Sequence, residues 1–210
     1  MGDPKFSRAK YERPSHPLQA ERIKAENELL KKYGLKNKKE LWRSQYTLRR
    51  FRQRARELQA RVRTGDKQAE KEREQLLRRL GRVGLLPLEG TTLDDVLALD
   101  VEAILSRRLQ TLTFLKGLAF TPRQARQFIV HGHVSVGGRR VTIPGMLVSR
   151  TQETGIAYDE RSGISNDLHP VRQQGQPGPP AAGPAADEEG SDLSGDEPAA
   201  PGPEPAPKEG

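Results

Sequence analysis

The stretch from Leu105 to Arg150 carries eight Lys and Arg residues and not one Asp or Glu. Within it, apolar residues at helical spacing are followed by Thr121-Pro122, a pair typical of a helix start, and then by short segments that alternate like strands. A small folded unit whose charges all have one sign attracts a polyanion. The stretch therefore predicts a compact module that binds nucleic acid.

The turn residues divide this stretch into elements. Arg108 falls inside the apolar arc of the first of them, a helix. A charge there costs several kcal/mol unless it is paired, or reaches solvent or phosphate. The predicted elements are a helix over 101–116 closed by Gly117, a helix over 122–131 closed by Gly132, a strand over 133–136, a Gly137-Gly138 turn, a return strand over 139–143 and a third strand over 146–148.

The N-terminal part of the chain has a helical pattern over 18–33, 38–62 and 67–80, and a short helix is predicted to start near Thr92. The second helix is rich in arginine, and Trp42 and Tyr46 lie on the side away from its apolar stripe. Such a helix suits a folded RNA, although Trp42 could equally pack on a neighbouring element. The candidate RNA-binding residues of this helix are Arg49, Arg50, Arg52, Arg54 and Arg56.

Charge is distributed unevenly along the chain. Residues 1–86 hold 25 basic and 11 acidic side chains, whereas the last forty hold two basic and eight acidic ones. Residues 171–210 are rich in Pro, Gly and Ala, and they lack the aliphatic side chains needed to bury a core. The pattern predicts a basic, nucleic-acid-binding body and an acidic, disordered tail.

These features together predict an α+β protein. Simple terminal disorder remains an alternative for the first segment. The predicted divisions are an extended basic arm over 1–20, an Arg-rich helical domain over 21–100, a small domain of two helices and a short β-hairpin over 101–150, a return segment over 151–170 and a disordered Pro/Ala/Gly acidic tail over 171–210.

Several classes of chemistry are disfavoured by composition. The chain has no cysteine, which excludes disulfides and cysteine ligands, and no apolar run approaches a membrane span, so we expect a soluble, cytoplasmic protein. His131 and His133 are the one place where a catalyst or a metal could sit, but residues 105–150 offer no acidic partner. We expect no catalytic residue, metal or cofactor. The two imidazoles either donate to RNA or serve as packed or capping side chains.

A run of motifs in this region resembles a known family. The segments Arg107–Thr111, Lys116–Ala119, Gln124–Gln127, Ile129–Val134 and Gly138–Thr142 resemble the S-four RNA-binding module. The opening Met1–Pro4 and the segment Lys32–Lys38 extend the likeness to the archaeal S-four family of small-subunit ribosomal proteins. The resemblance covers about residues 1–150.

The resemblance implies a structural protein of the ribosome that binds the 5′ domain of small-subunit rRNA, nucleates subunit assembly and contributes to translational accuracy. It implies rRNA and neighbouring small-subunit proteins, number five among them, as partners, with no membrane and no small-molecule substrate. Gln110 and Gly137 depart from the usual module pattern, where an acid and Asn are common. The resemblance assigns RNA binding to nine residues of the module: Arg107, Arg108, Thr121, Arg123, Arg126, His131, His133, Arg139 and Arg140. Lys116 is added to these predicted RNA-binding residues because of its charge.

Two other functions are compatible with such a module. The chain could be an rRNA-processing or modification factor, which a permanent presence in mature subunits would exclude. It could also be an enzyme that uses the module as an anchor. That hypothesis needs a second domain with a pocket and acid/base residues, and residues 1–86 offer Arg-rich helices instead.

Overall fold

The computed structural model describes residues 10–88, 90–166 and 169–173. Two groups of elements follow each other along the chain, a helical lobe formed by α1–α5 and a mixed module that begins at α6. The elements are α1 (Ala20–Lys32), α2 (Lys38–Arg63), α3 (Lys67–Val83), α4 (Leu93–Ala98), α5 (Val101–Ser106), α6 (Leu109–Leu115), α7 (Pro122–His131), β1 (Val134–Val136), β2 (Arg139–Arg140), α8 (Arg150–Glu153), β3 (Ile156–Tyr158), a 3-10 turn (Gly163–Ser165) and α9 (Pro170–Gln173).

Local sequence accounts for most of the helix limits. The side chains of Asn37, Asp66 and Thr121 accept hydrogen bonds from backbone N–H groups in the first turns of α2, α3 and α7. Pro122 follows Thr121 at the first helical position, and Gly132 ends α7 in the left-handed conformation. The helices predicted over 18–33, 38–62, 67–80 and 122–131 are confirmed to within three residues at each end.

The buried apolar side chains form separate cores. α2, α3, α4 and the first half of the 101–116 segment enclose one core, to which Leu58, Leu80 and Ile104 contribute. α6, α7, β1 and β3 enclose another, centred on Leu109 and Ile129. A smaller cluster joins the end of α1 to the start of α2 and to Leu105.

The prediction of one continuous helix over 101–116 is wrong. The chain leaves the helix at Arg107 and Arg108, and the backbone of Arg108 is extended (φ −75°, ψ 145°) and forms a bridge to Leu147. The N–H of Leu109 donates to the carbonyl of Met146 at 2.8 Å. The break lets the apolar residues on its two sides enter different cores, which a continuous helix would not do.

The prediction of a third strand over 146–148 is also wrong. That segment makes only the bridge to Arg108, and the return strand is limited to Arg139–Arg140. The third strand is instead β3, which lies in the return segment predicted over 151–170. The antiparallel sheet has the order β2-β1-β3, with Val134 opposite Tyr158. β1 is buried along its length because it is central in the sheet.

The two termini are described only in part. Residues 10–19, within the predicted arm, contain no helix or strand, and residues 1–9 lie outside the described residues. The predicted tail overlaps α9 at residues 171–173, and its remainder, 174–210, likewise lies outside them. None of the helices in the described ranges combines the length and the apolar character that a bilayer crossing requires.

Candidate nucleic-acid interface

A buried ion-pair cluster joins the helical lobe to the module. The Glu40 carboxylate, in the first turn of α2, accepts hydrogen bonds from Arg126 (2.5 and 3.0 Å) and from Arg108 (2.9 Å). The side chain of Arg108 is only 6% exposed and that of Glu40 only 15%. Burial opposes ionisation of Glu40, but the hydrogen bonds and charges of Arg126 and Arg108 outweigh it and lower the pKa of the carboxyl.

Gln110 makes the second contact of this junction. Its amide nitrogen, on a residue that is 1% exposed, lies within donor distance of the carbonyls of Gly34 (2.9 Å), Pro122 (2.8 Å) and Tyr33 (3.2 Å). Its carbonyl oxygen accepts from Arg126 at 3.3 Å. A carboxylate at this position could not donate to those carbonyls, which explains why an amide stands here.

Gly34 allows the end of α1 to approach α7 closely. Its φ is +58°, and a Cβ built on it would lie 2.8 Å from the Cβ of Pro122. Any side chain at this position would therefore push α7 away and would also strain the backbone. We refer to Gly34, Glu40, Arg108, Gln110 and Arg126 as the junction cluster.

Arg107 adds a further link between the lobe and the module. Its guanidinium donates to the carbonyls of Val83 (2.8 Å) and Val148 (3.2 Å) and to the Glu153 carboxylate (2.9 Å). The side chain is 13% exposed. Three of the arginines predicted to bind RNA, at positions 107, 108 and 126, therefore make intramolecular contacts. The position of Arg108 within an apolar arc was the sequence signal for this outcome.

The other cations of the module lie at its surface. Arg123 and Arg139 are exposed, and neither has an ion pair or side-chain hydrogen bond within the described ranges. Arg140 is exposed and donates to the His131 carbonyl at 2.9 Å. Lys116, also exposed, contacts the backbone carbonyl of Glu153. These positions can offer positive charge to a phosphate backbone, whereas Thr121 serves as the α7 cap.

The two histidines lie next to each other at the corner between α7 and β1. Their rings are 6.2 Å apart and close to parallel, and Nδ1 of His133 lies 2.8 Å from the Ser162 hydroxyl. Burial, with the charges of His131, Arg140 and His169, lowers the pKa of His133. No group of three or more potential metal ligands occurs in the part of the chain that the structure describes.

The arginines of α2 divide into paired and unpaired ones. Arg49 pairs with Glu12, Arg52 donates to the Leu99 carbonyl (2.5 Å), and Arg54 pairs with Glu72 (2.6 Å). Arg50 and Arg56 are exposed, and neither has a side-chain partner among the described residues.

Trp42 packs on a neighbouring element, as the alternative interpretation of α2 predicted. Its indole N–H donates to Glu26 at 3.1 Å, and its ring lies 6.2 Å from that of Tyr11. Residues 11 and 12 therefore contact the side of α2 on which Trp42 and Arg49 lie. Of the two unpaired arginines, Arg56 lies on this same side about two turns farther along the helix, whereas Arg50 lies on a neighbouring face.

Comparison with known proteins identifies the kind of module. The family model described as the S4 domain matches residues 107–153. The chain is 58% identical over 173 residues to small ribosomal subunit protein uS4 of Thermoplasma acidophilum, an alignment covering 82% of this chain and 86% of that protein. It is 52% identical over 174 residues to uS4 of Picrophilus torridus (83% and 94% covered) and 51% identical over 172 residues to uS4 of Methanococcus aeolicus (82% and 96% covered).

Proposed function

Because this chain belongs to the uS4 family of small ribosomal subunit proteins, we propose that it is a structural, RNA-binding constituent of the small ribosomal subunit. The observation that carries the proposal is the identity of more than half of the aligned residues over 82% of the chain. On this proposal the protein works as part of the ribosome, without catalysis and without a cofactor.

We further propose that the RNA is the 5′ domain of small-subunit rRNA, that binding there nucleates subunit assembly, and that the bound protein contributes to translational accuracy. Neighbouring small-subunit proteins, number five among them, would be its protein partners. The distribution of charge supports an RNA partner, because exposed cations without internal partners gain most from phosphate contacts.

The predicted RNA-binding residues take two roles in this proposal. Arg50, Arg56, Arg123, Arg139 and Arg140 would contact phosphates directly, because each is exposed. The junction arginines would act by holding α2 and α7 in one fixed arrangement. A surface already arranged to match the RNA loses less conformational freedom on binding, and recognition of folded RNA depends on shape.

Competition binding tests the proposal. The full chain should prefer a folded 5′-domain fragment of the rRNA over unstructured RNA of equal length by a hundredfold or more at physiological salt, a difference of about 2.7 kcal/mol. No preference would show that only the charge matters. One copy retained in mature small subunits would distinguish a constituent from a processing factor, which would be released.

Salt dependence tests the two roles. Replacing Arg123 with Ala should reduce the slope of log K against log salt by about one, because one phosphate contact is lost. Replacing Arg126 with Ala should instead lower the thermal stability of the free protein, because the Glu40 carboxylate loses a buried partner. An unchanged slope for the first variant would mean that Arg123 faces solvent in the complex.

A further inference from the structure

A basic groove lies between α2 and α3, and no residue of the module lines it. It has a volume of about 410 Å³, and its lining includes four cations, Lys10, Arg50, Arg54 and Arg79, and no carboxylate. Phe51 and Leu76 contribute apolar surface. A volume of this size is within the range of pockets that hold small ligands. We refer to it as the α2–α3 groove.

The positive charge of the α2–α3 groove is largely uncompensated. Arg54 pairs with Glu72, which lies outside the lining. Lys10, Arg50 and Arg79 have no ion pair or side-chain hydrogen bond with any residue that the structure describes. Three like charges in one concavity repel each other, and an anion placed among them would relieve that repulsion.

Contacts of the next two residues place Lys10 beside α2. The next two residues are anchored on α2, Tyr11 by its ring against Trp42 and Glu12 by its ion pair with Arg49. Residues 10–12 therefore lie along α2, and Lys10, although exposed, forms part of the groove wall.

Two aromatic residues line this groove, and Tyr46 is the one with an available ring, because Phe51 packs against the core of the helical lobe. The other three tyrosines are engaged: Tyr33 donates to Glu102 at 3.1 Å, Tyr158 donates to the Leu118 carbonyl at 2.5 Å, and Tyr11 packs on Trp42. Tyr46 is half-buried, and neither its ring nor its hydroxyl has an aromatic, cationic or hydrogen-bond partner among the described residues. Unpaired bases of RNA stack on such rings.

A stripe on α2 connects this groove to the junction. Arg43, Thr47, Arg50 and Arg54 follow at intervals of four, three and four residues, so they share one helix face. Thr47 lines both the α2–α3 groove and a groove of about 380 Å³ beside the junction cluster, which Arg43 also lines. One RNA strand following α2 could therefore contact both grooves.

We propose that the α2–α3 groove binds one unpaired nucleotide of the RNA, with its base stacked on Tyr46 and its phosphates at Lys10, Arg50 and Arg79. The proposal rests on the proposed function, since it specifies a nucleotide of the same bound RNA. An aromatic ring in a groove that is also lined by these three cations fits a base whose flanking phosphates the cations contact. An acidic peptide would use the charges but would have no specific need for the ring.

Photo-crosslinking of the full chain tests this site directly. With the folded 5′-domain RNA substituted with 4-thiouridine, the expected cross-link is on the peptide that contains Tyr46. Replacing Tyr46 with Leu should remove it and weaken binding roughly 5- to 150-fold, the range expected for one base–aromatic stack. Replacing Tyr46 with Phe should preserve both, because stacking does not need the hydroxyl.

Two adjacent arginines on α3 give a matched pair of variants. Arg79→Gln should lower the salt slope by about one, whereas Arg78→Gln should leave it unchanged, because Arg78 lies outside the groove and pairs with Glu74 at 2.6 Å. Both lose one charge from neighbouring positions. The thermal midpoints of all variants should stay close to that of the wild type, which excludes unfolding as the cause.

The outcomes separate this inference from the proposed function. If the wild type prefers the folded RNA but Tyr46→Leu and Arg79→Gln bind equally well, the groove inference is overturned and the proposed function stands. If the wild type shows no preference, the proposed function fails. In that case a cross-link between Tyr46 and unstructured RNA would still support the groove as a nucleotide site, whereas the absence of this cross-link would overturn the groove inference. Equal competition by polyglutamate would reduce the groove to a patch of charge and overturn the inference.

Discussion

Replacing Glu40 with Gln should substantially destabilise the protein without its RNA. The carboxylate is the shared acceptor of Arg108 and Arg126, at 2.5 to 3.0 Å. The amide has almost the same shape but no charge, so the guanidinium of Arg108, 6% exposed, would remain buried without a counter-ion. Breaking a buried pair in this way costs about 3–5 kcal/mol.

The expected loss here is about 2–4 kcal/mol, because Arg126 is 21% exposed and can turn partly to water. For a folded body of this size that corresponds to a fall of roughly 5 to 15 °C in the melting temperature. Urea unfolding followed by circular dichroism would measure the free energy of unfolding. Glu28→Gln, an exposed change on α1, is the matched control and should have almost no effect.

The pH dependence gives a second test of the same residue. The pKa of Glu40 is lower in the folded protein than in the unfolded chain, so the folded state favours the ionised form. Its stabilising contribution is therefore complete above the unfolded pKa of about 4.3 and is lost as the pH falls through the lower, folded value. The stability difference between wild type and Glu40→Gln should narrow in that acidic range.

Two results would refute this account of the junction. A loss below about 1 kcal/mol at pH 7 would place the pair among weak surface ion pairs. A difference independent of pH would mean that the carboxylate charge is not what stabilises the contact. A double-mutant cycle with Arg126→Gln should also show coupling, since the two side chains are in direct contact.

Three further predictions concern the junction and the corner of the module. Gly34→Ala should lower the free energy of unfolding by about 2–3 kcal/mol, through backbone strain and a clash with α7, whereas Gly65→Ala, also at positive φ but with open space around it, should lose only about 1 kcal/mol. Gln110→Glu should destabilise more at pH 8 than at pH 4, because a buried carboxylate would face three carbonyls and protonation would relieve it. The pKa of His133 is lower in the folded protein than in the unfolded chain, so its stabilising contribution is complete above about pH 6.5 and is lost as the pH falls through the folded-state pKa. Replacing His133 with Gln should therefore flatten the profile of melting temperature against pH between about pH 7 and 5.

Each of these predictions has a clear contrary result. Equal losses for the two glycine variants would show that α7 does not approach Gly34 closely. A Gln110→Glu variant as stable as the wild type at pH 8 would mean that the amide donates no important hydrogen bond. An unchanged pH profile for His133→Gln would assign the acid sensitivity of the module to another group.

Patterns that depend on near neighbours were predictable from the sequence. The limits of α2 and α7 follow from capping side chains and from the apolar period, which act within one or two helical turns. The RNA-binding module was predictable for the same reason, because its turns, its helix start and its run of unopposed basic charge lie within fifty residues.

The errors have a common physical origin. An apolar arc over 101–116 looks the same whether it faces one core or two, so the break at Arg108 could not be seen locally. Strand pairing is likewise non-local, and β3 reaches β1 from about twenty residues farther along the chain. The unpaired groove cations were only partly expected: Arg50 was among the candidates, whereas Lys10 and Arg79 gain their role from elements packed beside α2.

The sequence by itself determined helices α1 to α3 of the lobe, the run of basic residues between positions 105 and 150, and the RNA-binding module. The tertiary structure decided which arginines remain available for that polymer. Glu40 and Arg108 are 68 residues apart, and only folding brings them to hydrogen-bond distance. A charge is a property of one residue, whereas its compensation depends on what the whole fold places beside it.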